Sequence, residues 1–426
     1  MRVMIVGGGA REHALAWACS HDRGDIELIC APGNAGTAAL ATNVGVDVTD
    51  ASAVAGIAAG RGIDLVVIGP DAAAAAGVAD ACAAAGVAVF GPSAAAARIE
   101  SSKAFAKSLM NESGIPTPGW TAADAEGREK LGTFAKVFDG RCVVKADGLA
   151  LGKGVTVCQS MAEVEAALSA CFDQRRFGSA GSTVVIEERV DGRELSVLGL
   201  SDGRHVRVLV PTRDHKRAFD GDTGPNTGGM GAVAPAQELD AVAIARQVTE
   251  SVLQPCVDSL AARGTPFVGC LYAGLMLTAA GVSVLEFNAR FGDPEAQVML
   301  PMLDEPLLEL LVASTRGELE PGVARHRAGA AVGLVAAAAG YPGSPQTGDV
   351  ITGTDSLDRG IHCFHAGTKR DAGGALRTAG GRVLTVVGIG EDQEVARGRA
   401  YDNLKRIRFR GMHFRSDIAQ PATVPA

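Results

Sequence analysis

The sequence predicts an α/β and α+β multidomain protein, in which a doubly wound parallel-sheet domain at the N-terminus is followed by α+β lobes. Three observations carry that expectation. Over the first quarter of the chain, short apolar strands end in glycine-bearing turns and give way to helical stretches, the rhythm of a parallel sheet with its ligand site at the carboxyl ends of the strands. Ile115-Pro116-Thr117-Pro118 then interrupts that rhythm, and beyond it strands are joined through glycine turns. Finally, 426 residues are more than one hydrophobic core usually organises.

Residues 2–6 form a short apolar strand, Gly7-Gly8-Gly9 a turn and residues 11–20 an amphipathic helix. The unit recurs as strands over 26–30, 64–69 and 87–90. The last two end in Gly69-Pro70-Asp71 and Gly91-Pro92-Ser93, and Pro32-Gly33-Asn34-Ala35-Gly36 follows the first. Such loops let backbone amides approach a ligand closely. Glu12 stands where a dinucleotide fingerprint needs its third glycine, so G-x-G-x-x-G is incomplete. A phosphate on Gly9 and the first helix N-terminus, with Arg11 nearby, fits the residues better than NAD. A tight turn with no ligand is the plainer reading.

Ser101 or Ser102 caps a helix carrying Lys103 that stops at Gly114, and the two prolines beyond mark a hinge. A strand over 142–146 leads into the glycine-rich loop 147–154, with Gly148, Gly152 and Lys153, and a strand over 155–158 leaves it. A loop of this kind can fold over phosphates. It lacks the P-loop spacing and the hydroxyl residue after the lysine. Lys145, inside an apparently buried strand, needs an anion or a carboxylate partner. The strand over 183–186 ends in Glu187 and Glu188. The chain leaving it could offer backbone to a purine edge, with Glu194 placed for ribose hydroxyls; a solvated acidic edge is the alternative.

Asp214-His215-Lys216-Arg217 and the run 224–231, with Asn226, Thr227, Gly228, Gly229 and Met230, read as a long substrate loop. A helical stretch over 237–263 and a strand over 267–277 follow. A hairpin then leads into 282–288, whose alternation puts Glu286 and Asn288 on one face. Two hard oxygen donors at a strand end suit Mg2+ or Mn2+. Arg290 adds a fixed positive fork, and Asp293-Pro294-Glu295 reads as a helix start with Asp293 at the N-cap. An edge strand running into a capped helix explains the same residues without a metal. Toward the C-terminus come strands over 331–336 and 382–388 and a helix over 392–406. His362 and His365 lack a third metal ligand nearby.

Composition narrows the partners. A formal net charge of -8 argues against nucleic acid or an acidic membrane surface as the main partner. The Ala-rich region 72–88 is interrupted by Asp80 and Gly86 and falls short of the roughly 20 apolar residues needed to span a bilayer. Nine cysteines without any C-x-x-C pair read as reduced and mostly buried. With no signal-peptide core at the N-terminus, a cytoplasmic protein is expected.

Taken together these stretches resemble the phosphoribosylamine-glycine ligase (glycinamide ribonucleotide synthetase) family of the ATP-grasp superfamily. The likeness runs in family order from Gly7-Gly9-Arg11-Glu12-His13 to Gly380-Gly381-Arg382. Arg290-Phe291-Gly292-Asp293-Pro294-Glu295 with Gln297, Asp214-His215-Lys216-Arg217 and the run 224–231 are its most specific motifs. The resemblance implies an N-terminal domain (1–102), a two-lobed core clasping ATP (central part 103–119 and 193–325, lid 120–192) and a small C-terminal domain (326–426). It implies that Lys103 and Lys145 hold ATP phosphates, assisted by the loop with Gly148, Gly152 and Lys153. Glu187, with Glu188 and the Val190 backbone, would meet adenine, Glu194 ribose, and Glu286 with Asn288 the metal. Arg290, Lys145, Asp214 and Lys216 would serve catalysis. Gly9, Arg11, Glu12, Asn34, Asp293 and the loop from Asp214 through His215, Lys216 and Asn226 to Met230 would bind glycine and 5-phosphoribosylamine. A monomer acting on small molecules is expected. Three departures from the family pattern stand at residues 71–74 (Asp71 where Glu is usual), at Arg213 and at Val233, all near the expected acceptor side. A paralogue joining another amino acid or amine is the nearest alternative, and a nicotinamide-dependent oxidoreductase a more distant one that leaves Glu286, Asn288 and the glycine-rich loop unexplained.

Overall fold

Val3, Met4, Ile5 and Val6 are all wholly buried, because their strand lies in the middle of a parallel sheet covered on both faces. The computed structural model describes residues 1–22, 25–150, 154–236 and 240–420. In this first sheet the strands lie in the order Thr42–Asn43, Glu27–Pro32, Arg2–Gly7, Leu65–Ile68, Ala88–Phe90, all parallel. The order reverses at Arg2–Gly7, so the glycine turn sits at the topological switch point. The helix after it, Ala10–Asp22, is buried on nearly every side, Arg11, Glu12 and His13 included. The helix expected over 11–20 is thus present, and it is buried on both its apolar and its polar side.

The second sheet is antiparallel, in the order Trp120–Asp124, Thr183–Glu188, Cys142–Ala146, Val155–Val157. Helices Arg128–Lys136 and Met161–Phe172 pack on it around Leu131, Val144, Val164, Leu168 and Ile186, a core separate from the others. The third sheet contains the hairpin Val268–Thr278 and Gly281–Asn288, followed by Arg193–Asp202, Val206–Val208 and Gly322–Val323. A register shift at Gly274/Leu275 leaves Leu285 without a cross-strand partner between Val284 and Glu286, and its carbonyl becomes available to another element.

The fourth sheet runs Arg213–Asp214, Gly231–Ala234, Ala330–Ala337, Arg382–Gly390, His362–His365. Its first two strands come from the segment expected in the central part, so hydrogen bonds of one sheet cross the boundary drawn at 326. Arg213 and Val233 are direct cross-strand partners. Two of the three departures from the family pattern are thus one pair.

Three expected elements differ. The run 217–226 is a hairpin, Arg217–Phe219 with Thr223–Asn226, rather than a structureless loop; its alternation is too short to register in the sequence. The long helix begins at Ala241 and contains a π-helical stretch, Thr249–Leu253, before Gln254–Ala262. Asp293 is no N-cap. Pro294 holds that position without a side-chain hydrogen bond and the helix is Glu295–Met299, because the Asp293 carboxylate is engaged by Gln297 Nε2 at 2.6 Å and Arg382 at 3.0 Å.

Candidate active site

Lys145 points out of the second sheet toward the third. Its ammonium donates to the Leu285 carbonyl freed by the register shift (2.9 Å) and lies 2.8 Å from Glu187 Oε1. Glu187 is 1% exposed and takes a second lysine on its other oxygen, Lys107 at 3.2 Å. Lys107 also donates to Thr117 Oγ1 at 2.6 Å. Burial outweighs the attraction of Glu187 and pulls the Lys107 pKa down to about 8. One carboxylate therefore fixes two buried ammonium groups, and Lys145 ties the second sheet to the hairpin that carries Glu286. Lys103, one helical turn before Lys107, donates to the Gly148 carbonyl at the start of the glycine-rich loop. Asp147 ties the same loop to the helix by accepting from the Ala104 amide at 2.6 Å.

Glu286 and Asn288 end the hairpin on one face, opposite Gly274 and Tyr272. Burial raises the Glu286 pKa, but Lys216, Lys145, Lys103 and Arg290 together outweigh it and hold the carboxyl below its usual range. Asn288 Oδ1 accepts from Arg290 at 3.1 Å, and its Nδ2 is buried without a partner among the described residues. The Glu286 carboxylate, anionic among these cations, and Asn288 Oδ1 are the two hard oxygen donors here that a divalent ion sharing its sphere with phosphate oxygens would take; the unpartnered Nδ2 is a donor and has no part in holding a cation. Arg290 is anchored by Glu100 at 3.2 Å, and Glu100 Oε2 accepts from the Ala289 amide at 2.8 Å. Asp71, at one of the departures from the family pattern, adds to the field that keeps Arg290 charged.

A polar chain backs the other side of the cleft, open to solvent at Glu194 and Lys216 and buried at Asp214, Ser196, Tyr272 and Glu295. Lys216 lies 3.4 Å from Asp214 and 3.3 Å from Glu194. Burial opposes its charge, but Asp214, Tyr272, Glu194 and Glu286 raise its pKa well above the ordinary lysine value. Ser196 Oγ joins Asp214 (3.4 Å), Tyr272 (2.9 Å) and Glu295 (3.4 Å), and the Tyr272 hydroxyl donates to Glu295 at 3.0 Å. Burial and then the nearby Asp214 push the Glu295 carboxyl up to about 6. His215 is kept neutral, its pKa lowered to about 4 by burial, Arg213 and Arg415.

At the N-terminal loop, Glu12 fills the space enclosed by Gly7, Gly9 and Gly69, where a Cβ on any of the three would collide with its side chain. Its carboxylate accepts from the Gly9 amide at 2.6 Å and from Arg11 at 2.7 Å, while Arg11 also donates to the Phe291 carbonyl at 3.0 Å. The position that a dinucleotide fingerprint needs as glycine is thus a carboxylate bound to the loop itself. Asn34 Nδ2 donates to the carbonyls of Gly8 and His365, and the His365 amide donates to His13 Nδ1 at 2.8 Å. The first and fourth sheets therefore meet at this loop. Asp293 closes the corner from the third sheet: a Cβ built on Gly9 would lie 3.7 Å from its Oδ2.

The structure thus gathers Lys103, Lys145, Glu187, Glu194, Asp214, Lys216, Glu286, Asn288 and Arg290 around one cleft, and Gly9, Arg11, Glu12, Asn34 and Asp293 at its end. Thr227 and Met230 reach it through backbone bonds to Lys216 and His215. Asn226 lies on the hairpin opposite Arg217, Glu188 bonds through its amide to Gly119, and Val190 follows the strand end partly buried. Gly152 and Lys153 lie outside the described residues. Sequence reasoning passed over Lys107, Glu100, Ser196, Tyr272 and Glu295 as site residues. Only Lys107 had a local signal, its i,i+4 spacing from Lys103.

Comparison with known proteins matches three family models along the chain: the phosphoribosylglycinamide synthetase N domain over residues 1–100, its ATP-grasp (A) domain over 101–296 and its C domain over 331–421. The chain is 47% identical over 425 residues to the phosphoribosylamine-glycine ligase of Nostoc sp., covering 98% of this chain and 99% of that one. It is 48% identical over 431 residues to the protein of that name from Streptomyces coelicolor, covering 99% of both. The crystal structure of the Thermotoga maritima phosphoribosylamine-glycine ligase superposes with a TM-score of 0.83 at 34% identity, over 98% of this chain and 100% of that one. A biotin carboxylase domain from Hydrogenobacter thermophilus shares the fold at 16% identity, with a TM-score of 0.74 over 96% of this chain and 91% of that one.

Proposed function

The chain belongs to the phosphoribosylglycinamide synthetase family, and on that premise we propose a mechanism for its site. It is an ATP-dependent carbon–nitrogen ligase that joins glycine to 5-phosphoribosylamine in purine biosynthesis, giving glycinamide ribonucleotide, ADP and phosphate. The observation that carries the reading is the convergence of four cations about Glu286: Lys145 bonds the Leu285 carbonyl beside it, Arg290 bonds Asn288 two residues on, and with Lys103 and Lys216 they hold the Glu286 carboxyl below its usual range.

The glycine carboxylate attacks the γ-phosphorus of ATP; the new P–O bond forms as the bond to the β-phosphate oxygen breaks, and ADP leaves. Charge spreading over the transferred group is met by Lys145, Lys103 and Arg290, held in place beforehand by Glu187, the Gly148 carbonyl and Glu100. Glu286 and Asn288 would hold Mg2+ or Mn2+, which when bound neutralises phosphate charge. The amine of phosphoribosylamine then attacks the carbonyl carbon of glycyl phosphate, the C–O bond breaks with its electron pair leaving on phosphate, and the nitrogen gives up a proton as the amide forms. An acyl phosphate hydrolyses readily, so the glycine-rich loop excludes water while it exists. Glu187, whose carboxylate holds Lys145 and Lys107, stands with Glu188 and the Val190 backbone at adenine, Glu194 at ribose, and the corner of Gly9, Asn34 and Asp293 with the loop from Asp214 to Met230 receives the acceptor and glycine.

The same reading divides the chain into the N-terminal domain 1–102, a central part 103–119 with 193–325, the lid 120–192 and the C-terminal domain 326–426, acting as a cytoplasmic monomer. No helix among the described residues is long and apolar enough to cross a membrane. Purified protein with ATP, Mg2+, glycine and freshly generated phosphoribosylamine should release ADP only when both co-substrates are present. Turnover without glycine, or turnover with another amine and none with phosphoribosylamine, contradicts the proposal.

A further inference from the structure

Among the side chains around the cleft, Arg382 is assigned no part in the mechanism above, yet it makes three strong contacts at the acceptor end. It opens the strand Arg382–Gly390 of the C-terminal sheet. One guanidinium nitrogen donates to both the Gly228 carbonyl and the Asp293 carbonyl, each at 2.6 Å, and another lies 3.0 Å from Asp293 Oδ2. Tyr341, from the same part of the chain, accepts a hydrogen bond from the Gly228 amide at 3.0 Å. Gly228 is thus held at its amide and its carbonyl by two residues of one domain. Its neighbour Gly229 has a positive φ of 108° and no room for a Cβ against the Pro294 ring. Residues 228–229 are therefore pressed between Arg382 with Tyr341 on one side and Asp293-Pro294 on the other.

The planar fork matters here. A guanidinium presents several donors in fixed directions and can bind two carbonyls and a carboxylate at once, whereas a lysine supplies one compact charge. Arg382 consequently sets the distance between the loop from Asp214 to Met230 and the Asp293 corner facing Gly9. We propose that Arg382 is a positioning residue for the amine acceptor: through Gly228 and Asp293 it shapes the acceptor site, while Lys103, Lys145 and Glu286 are held by other partners, the Gly148 carbonyl, Glu187 with the Leu285 carbonyl, and the hairpin. This rests on the ligase reading given above.

The test uses the full-length chain and measures KM separately for ATP, glycine and phosphoribosylamine. Arg382→Ala should raise KM for phosphoribosylamine at least about tenfold, the scale of losses that follow from displacing a positioning group, with KM for ATP changed less than about twofold. Arg382→Lys should recover only part of the loss. An increase in KM for glycine or for ATP as large as that for phosphoribosylamine, an unchanged value for phosphoribosylamine, or full rescue by lysine would overturn the proposal. If Arg382→Ala does not fold, Tyr341→Phe carries the test, since it removes only the acceptor for the Gly228 amide. A rise of about threefold confined to phosphoribosylamine supports the role, and no rise refutes it. Inactive wild-type protein would instead count against the ligase reading itself.

Discussion

Replacing Glu187 by Gln removes one negative charge while keeping shape, and its consequences follow from the two lysines it holds. Lys145 and Lys107 lie 2.8 and 3.2 Å from its two oxygens, and all three side chains are at most 7% exposed. Removing one partner from a buried ion pair typically destabilises by about 3–5 kcal/mol, because the remaining charge is left without compensation. Lys107 gives the pH dependence. Its pKa already falls from 10.5 to about 8 through burial, equivalent to roughly 3 kcal/mol of unfavourable burial that is fully felt below pH 8. Between pH 8 and 10.5 the unfolded chain binds the proton more readily than the folded one, so this penalty fades as pH rises. Without Glu187 the pKa drops further, and the deficit of the variant should be largest near pH 7 and shrink toward pH 10. Urea unfolding of wild type, Glu187→Gln, Lys107→Met and the double variant at both pH values measures this directly. The double-mutant cycle should give a coupling energy above about 1.5 kcal/mol at pH 7. A Glu187→Gln deficit below about 0.5 kcal/mol, or one that grows with pH, would refute the reasoning.

Two further outcomes are expected. Glu286→Ala should abolish ADP formation while the protein stays folded by circular dichroism; because the folded-state pKa of Glu286 is held low by its cations, its contribution to stability should be present above its unfolded value of 4.5 and lost as pH falls below it. Retained activity would remove the metal assignment. His13, His362 and His365 have pKa values lowered to about 3, 4 and 4, chiefly by burial. The unfolded chain takes up their protons first, so stability should be complete above about pH 6.5 and fall as pH drops below it. His13→Asn, whose amide oxygen replaces the Nδ1 that accepts from His365, should flatten that slope in urea midpoints taken between pH 7.5 and 5; an unchanged slope would contradict the assignment.

What the sequence made legible was whatever repeats along the chain or sits within one element. The parallel sheet announced itself through apolar strands ending in glycine, and the hairpin bearing Glu286 and Asn288 through strict alternation. The Ser102 cap was equally local, its hydroxyl accepting from the Phe105 amide at 3.1 Å. Lys145 signalled only that it needed an anion. That the first anion it meets is Glu187, shared with Lys107, depends on a contact between two elements and has no local signature. The same holds for Glu295, buried through Tyr272 and Ser196 from two other strands, and for Arg382, which reaches Asp293 from a different sheet. Asp293-Pro294 has the local pattern of a capped helix start, but the competing partners of its carboxylate, Gln297 and Arg382, are supplied by the fold.

The central claim is that this cleft activates a carboxylate by phosphorylating it, and oxygen tracing tests it most directly. Glycine labelled with 18O in its carboxylate, turned over with ATP and phosphoribosylamine, should deliver one labelled oxygen to the released inorganic phosphate. Phosphate free of label while glycinamide ribonucleotide accumulates would contradict the account.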